Sequence, residues 1–204
     1  MPIKTISQEQ LNNAKLFKNK EEFAKHIPKG SRILEIGTLA GDYAEVLIKE
    51  VKPASIDLVD VFEAHDWPDC NRFNRNNHFN FVKNRFKNVS GITFNKGYSH
   101  DILPKMNKKF DYIYIDANHD YTHCKADLMN SLPLLEEGGI IGFNDYIVDK
   151  DHGVDYGVIE VVCEFLNENK NWEVIGFALQ ENMYADIYIK KVEQAGLEPA
   201  TAEL

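Results

Sequence analysis

The chain has 204 residues, 44% of them hydrophobic, and a formal charge of −9, which suits one domain with its own core. That acidic balance argues against a nucleic-acid partner, which needs a basic face, and no apolar run approaches the ~20 residues that span a bilayer, so no membrane partner is expected. Cys70, Cys124 and Cys163 are far apart and form no CxxC; with no apolar secretory segment near the N-terminus, they read as reduced thiols in a cytoplasmic protein.

Residues 7–27 open with Ser7 and Gln10 at capping-box spacing, followed by a broken apolar stripe of Leu11, Ala14, Phe17, Phe23 and Ile27. Two short helices are expected, forming an N-terminal helical cap over residues 1–29 whose surface could serve a homo-oligomer. "RILEIG" (32–37) is a short apolar strand, and residues 42–50 are a helix with Tyr43, Val46 and Leu47 on one face. "SIDLVDVF" (55–62) is a second strand. Residues 63–73 read as an inserted loop, and His65, Trp67 and His78 suit a lid. Residues 74–87 read as a helix, and the basic-aromatic run 71–87, with five Lys/Arg, reads as a solvated helix with Phe73, Phe81 and Phe86 packing inward rather than an RNA platform. "GITFNKG" (91–97) and "FDYIYID" (110–116) are the third and fourth strands.

A helix over residues 121–135 carries Tyr121, Cys124, Leu128, Leu132 and Leu135, and Gly138-Gly139 suits a left-handed cap. "GIIGFND" (139–145) is the fifth strand. Val158, Val161, Val162, Phe165 and Leu166 mark a helix over 157–169. Two closing strands (172–179 and 182–190) meet at a tight turn near Gln180–Asn182, and residues 191–204 read as a disordered tail. Strands alternating with helices, several of them continuously apolar, predict an α/β fold. The expectation is a Rossmann-like, doubly wound, seven-stranded and mostly parallel sheet over residues 30–190, with an antiparallel C-terminal strand and helices on both faces.

Ligands of such sheets bind at the carboxyl ends of the strands. The first strand runs into "EIGTLAGDY", with Glu35, Gly37 and Gly41; this G-x-x-x-G is not the G-x-G-x-x-G of dinucleotide sites. Asp60 ends the second strand, 23 residues after Gly37, where a carboxylate can accept hydrogen bonds from ribose hydroxyls.

These segments, with "FDYIYIDANHDY", "LPLLEEGGIIGFNDY" and "GVIEVVCEF", resemble in order class I S-adenosylmethionine-dependent methyltransferases. The closest likeness is to the small-molecule O-methyltransferase branch. The resemblance implies that Gly37, Thr38 and Gly41 pass beneath the methionine part of S-adenosylmethionine, beside Glu35 and Asp116. It also implies that Asp60 holds the ribose and that Gly97, Tyr98 and Ser99 lie near the adenine. Asp116, Asn144 and Asp145 end neighbouring strands and, by the same resemblance, would hold Mg²⁺, a hard cation that takes oxygen ligands.

His119, three residues after Asp116, is placed to act as a general base. The competing reading is that Asp116, Asn118 and Asp120 only cap the next helix. His152 reads as a surface-loop histidine that could face the acceptor. The expected partner is a small-molecule acceptor, with a sugar hydroxyl as one candidate. Alternatives are a nicotinamide-dependent oxidoreductase, against which the G-x-x-x-G counts, and a catalytically idle binding or interaction protein.

Overall fold

The computed structural model describes residues 5–63, 77–151 and 154–192; His65, Trp67, Phe73, Cys70, His152 and the tail beyond 192 lie outside them. In chain order the elements are α1 (Gln8–Leu11), β1 (Lys15–Phe17), α2 (Lys20–Ala24), β2 (Arg32–Ile36), α3 (Asp42–Val51), β3 (Ser55–Asp60), α4 (His78–Arg85), β4 (Ile92–Lys96), α5 (Ser99–Ile102), β5 (Phe110–Ile115), α6 (Tyr121–Ser131), β6 (Leu135–Phe143), β7 (Lys150–Asp151), β8 (Val154–Asp155), α7 (Val158–Glu168), β9 (Trp172–Ala178) and β10 (Asp186–Lys191).

The main sheet has the order β1-β9-β10-β6-β5-β2-β3-β4. β2 pairs in parallel with β3 on one side and β5 on the other, so the winding reverses direction there. β10 is antiparallel to both β6 and β9, as expected for the chain's last strand. Alternate residues feed two cores. Leu34, Ile36, Ile113, Ile115 and Phe143 pack toward α6 and α7; Ile33, Leu58, Tyr112, Tyr114 and Tyr188 pack toward α2, α3 and α4.

The sheet has eight strands where seven were expected. The extra one is β1, inside the segment read as wholly helical: Lys15–Phe17 pairs in parallel with Gly176–Ala178 at the edge. Phe17 therefore belongs to a strand, its ring edge-on to Phe23 at 5.3 Å and close to where a Gly176 side chain would sit. The helix read over 121–135 also stops early. α6 ends at Ser131, and Leu132–Leu134 form a 3₁₀ turn around Pro133, which cannot supply the amide that a longer helix needs. Gly138, at φ +71°, then lies within β6 rather than at a helix cap, near a register shift between β5 and β6.

Two further expectations, for Ser7 and for Phe81 with Phe86, hold. Ser7 caps α1 by accepting from the Gln10 amide. Phe86 is buried and Phe81 partly so, both packed on the α4 side of the sheet. Among the described residues no helix is long and apolar enough to cross a membrane.

α2 is fixed to the sheet by Phe23, whose ring stacks on Tyr188 at 3.4 Å with 5° between the planes. Phe23→Ala is expected to cost about 3–5 kcal/mol of stability, as truncations of buried aromatics do. Urea unfolding monitored by circular dichroism measures it, and a loss below ~1 kcal/mol would contradict this placement of α2.

Candidate active site

The loops after β2 and β5 meet at the reversal point. Gly37 has φ +88°, and a β-carbon there would fall 2.0 Å from the Asp116 carbonyl oxygen and 2.6 Å from the Ala117 nitrogen. Gly37 thus permits a close approach to the protein's own backbone, where the sequence suggested an approach to ligand. Gly41 (φ +83°) precedes α3, and a β-carbon there would meet the Phe86 ring at 2.6 Å. Between the two glycines, Leu39 adopts φ +45°, and Phe62, after β3, adopts φ +50°. Such conformations are costly for non-glycine residues.

Asp60 offsets that strain. One carboxylate oxygen accepts from the Thr38 and Leu39 amides, each at 2.8 Å, and the other accepts from the Phe62 amide at 2.6 Å. Two further groups hold the same loop. The Leu39 carbonyl lies 2.7 Å from His78 Nε2, which makes His78 a buried loop support. Arg85 donates to the Ala40 carbonyl, Asp42 and Glu45.

Beneath this loop Glu35 is 1% exposed and Thr38 is 4% exposed; Glu35 Oε2 and Thr38 Oγ1 lack a hydrogen-bond partner. Burial, then the charge of Asp116, pushes the Glu35 carboxyl well above the usual carboxylate range. Gly97 follows β4, its amide donating to the Asp60 carbonyl at 2.9 Å. Tyr98 is exposed and stacks on His100, and Ser99 begins α5. The structure therefore gathers Glu35, Gly37, Thr38, Asp60 and Asp116 closely, with Gly97, Tyr98 and Ser99 one strand further out.

The ends of β5 and β6 supply the acidic half. His119 Nε2 lies 3.5 Å from Asp116 Oδ1, 3.7 Å from Asp145 Oδ2 and 3.4 Å from Asn144 Nδ2, and its ring stacks on Tyr156 at 5.0 Å. Burial would lower the His119 imidazolium, but the Asp116 contact and the charges of Asp116, Asp145 and Asp186 outweigh it, so its pKa is raised above 6.5. Burial pushes Asp145 and Asp186 up to about 6. Asp145 is further constrained at φ +53°. The helix-capping alternative applies to Asp120, which caps α6 by accepting from the His123 amide. Asn118 accepts from the Asp120 amide. Asp116 takes part in neither.

Two residues that sequence reasoning missed complete the cluster. Asp186, buried at the start of β10, accepts from the Tyr114 hydroxyl at 2.7 Å. Lys20, from α2, places its Nζ 3.9 Å from Asp116 Oδ2 and 3.4 Å from the Tyr114 hydroxyl. Burial alone would lower the Lys20 ammonium; Asp116, Asp186, Glu35 and Asp145 more than offset it and raise its pKa. No local pattern marks either residue, since both owe their position to strands and helices distant in sequence.

The fit to Mg²⁺ can be judged from the oxygens. Asp116 turns one oxygen to His119 and the other to Lys20, Asp145 Oδ2 faces His119, and Asn144 Oδ1 lies 3.0 Å from the Tyr114 hydroxyl. The Lys20 ammonium beside Asp116 already supplies a positive charge at this point, so the arrangement does not suit a divalent ion. Among the described residues no group of three or more His, Cys, Asp or Glu is placed to hold a metal. The half under the Gly37 loop does suit a cofactor bearing positive charge and hydroxyls, because its orphaned Glu35 and Thr38 oxygens are buried acceptors.

Residues 34–146, more than half of the chain, match the model of a family described as "Methyltransferase domain". No curated protein matches the sequence. Among solved structures, the chain is similar to the O-methyltransferase TomG of Streptomyces achromogenes, crystallised with S-adenosylmethionine (18% identity, TM-score 0.62, covering 85% of this chain and 78% of that one). It is similar also to an O-methyltransferase of Bacillus cereus, crystallised with S-adenosylhomocysteine (18%, TM-score 0.63, 85% and 80%). An rRNA methylase of Streptococcus thermophilus shares the fold as well (10%, TM-score 0.58, 85% and 95%).

Gly37→Ala is expected to lower stability by at least about 2 kcal/mol, through the left-handed backbone and the clash with Asp116 together. Thermal or urea denaturation measures this, and a stability equal to wild type would show that the two loops do not touch.

Proposed function

The chain belongs to the methyltransferase domain family, and from that premise we propose that it transfers a methyl group from S-adenosylmethionine to a hydroxyl of a small molecule in the cytoplasm. Sugars are the acceptor class to test first. The observation that carries this reading is the position of His119, flanked by Asp116 and Asp145 at the strand ends beside the Gly37 loop.

In this reading Asp60 accepts the ribose hydroxyls. Glu35, Gly37, Thr38, Gly41 and Asp116 line the methionine end, and Gly97, Tyr98 and Ser99 line the adenine. When bound, S-adenosylmethionine supplies an electrophilic methyl group on a positively charged sulfur. Orphaned acceptors such as Glu35 Oε2 suit that charge. The acceptor's hydroxyl is a weak nucleophile until its proton leaves. His119 in its neutral form takes that proton on Nε2, and Asp116 and Asp145 stabilise the imidazolium that results. Its contacts of 3.4–3.7 Å are long for hydrogen bonds, so the nitrogen is flanked rather than fully engaged. Mg²⁺ enters none of these steps, because Asp116, expected to bind it, already lies beside the Lys20 ammonium.

RNA is the rival acceptor, given the rRNA methylase of similar fold. A formal charge of −9 counts against it, since affinity for RNA rests on neutralising phosphates. The deciding experiment supplies radiolabelled S-adenosylmethionine with a panel of sugars and other small hydroxyl compounds, and with rRNA in parallel. Label is expected on a small-molecule hydroxyl, and label on RNA alone would overturn the reading. With the acceptor found, His119→Ala is expected to lower the rate by ~10²–10⁴. A base works only when neutral, and its neighbours raise the His119 pKa. The wild-type rate should therefore climb with pH to a midpoint above 6.5. A pH-independent rate between 5 and 9 would remove His119 from that role.

A further inference from the structure

Lys20 stands in "NKEEFAKH", within the N-terminal segment read as helical. Two contacts set the roll of its helix. Asn19 caps α2 by accepting from the Glu22 amide at 3.1 Å, and Phe23 stacks on Tyr188. Residues three apart share a helix face, so burial of Phe23 turns Lys20 toward the same side of the sheet, over the carboxyl ends of the strands. There the ammonium lies 4.9 Å from the Tyr43 ring centroid and 5.5 Å from that of Tyr114, a cation–π setting. The side chain is 23% exposed. The same Tyr114 hydroxyl that faces Lys20 also donates to Asp186. One ammonium thus reaches Asp116 directly and Asp186 through a tyrosine.

Building on the methyltransferase reading of the site, we propose that Lys20 is the resident cation of the acceptor centre, carried in by the N-terminal helix to the strand-end carboxylates where a divalent ion would otherwise sit, and that it makes methyl transfer here independent of metal. The physical need is plain. Glu35, Asp116, Asp145 and Asp186 gather in one poorly solvated place, and buried carboxylates cannot stay ionised without nearby positive charge. Lys20 provides that charge without a metal. It also excludes one, because a second cation within about 4 Å of the ammonium would be strongly repelled even at the effective dielectric of a protein surface. Lys20 is a positioning residue in this account. It holds the orientation of Asp116, which flanks His119, and touches neither reacting atom.

The test is Mn²⁺ binding to the full chain, followed by electron paramagnetic resonance, with S-adenosylmethionine binding measured on the same samples by calorimetry. Wild type and Lys20→Arg are expected to show no Mn²⁺ site that depends on Asp116. Lys20→Met, which keeps the stem and loses the charge, is expected to gain one Mn²⁺ site, at least about tenfold tighter than any residual Mn²⁺ binding by wild type. Adding Asp116→Asn to Lys20→Met should abolish that site. A wild-type Mn²⁺ site that Asp116→Asn removes would overturn the proposal, and so would a folded Lys20→Met that gains none. Should Lys20→Met fail to fold, wild type and Lys20→Arg still decide the matter. Failure of wild type to bind S-adenosylmethionine would sink the methyltransferase reading instead, so the two failures are distinguishable.

Discussion

The site depends on one steric constraint: the α-carbon of Gly37 lies against the backbone of Asp116 and Ala117, closer than any side chain allows. β2 is where the winding of the sheet reverses, so the chain segments leaving β2 and β5 would by default turn apart toward opposite faces. Their contact closes that crevice at its base. It brings the glycine loop, with its buried Glu35 and Thr38, beside the strand-end acids. A side chain at position 37 would separate the glycine loop from the strand-end acids. The remaining loop supports follow from this contact. Asp60, His78 and Arg85 each hold the segment between Gly37 and Asp42 by its backbone groups, including the strained Leu39.

The second determinant is electrostatic. Four carboxyl groups converge on the tyrosine-lined face of the sheet, while Lys20 and His119 bring the positive charge. Asp145 and Asp186 pushed up to about 6 show that this charge does not fully offset their desolvation. A raised carboxyl pKa works against the folded state as pH rises, because the unfolded chain releases those protons earlier. Asp145 and Asp186 taken alone therefore cost stability at neutral pH, while the raised pKa of Lys20 works the other way. Gly142 belongs to the same design. A β-carbon there would meet Tyr112, Tyr114 and Tyr188 at 2.8–3.0 Å, so the tyrosine layer that presents its hydroxyls to Asp186 and Asn144 needs a glycine opposite it.

Much of this was legible in the sequence, and the reasons are local. Apolar runs such as "RILEI" and "DYIYI" become β2 and β5 because strands covered on both faces need no polar alternation. Asp60, Asp116, Asn144 and Asp145 stand at strand ends, where polarity interrupts an apolar run, and that interruption can be read directly. What escaped depends on distant partners. β1 is three residues long with an exposed Leu16, and only the free edge of β9 makes it a strand. Gly138 resembled a helix cap because Pro133, which ends the helix, stands five positions earlier in an apolar stripe. Lys20 and Asp186 carry no motif at all. One is placed by the stacking of Phe23 on Tyr188, the other by the pairing of β10 with β6 and β9, and neither pairing is encoded near the residue itself.

The central claim is that the loop after β2, held by Asp60, binds S-adenosylmethionine. Calorimetric titration of wild type and Asp60→Ala with S-adenosylmethionine, and of wild type with NAD, tests it most directly. The account predicts one S-adenosylmethionine per chain, no NAD, and binding weaker by about 1–3 kcal/mol in Asp60→Ala, where the cofactor's hydroxyls lose a charged acceptor. Binding of NAD in place of S-adenosylmethionine, or equal affinity in a folded Asp60→Ala, would contradict it.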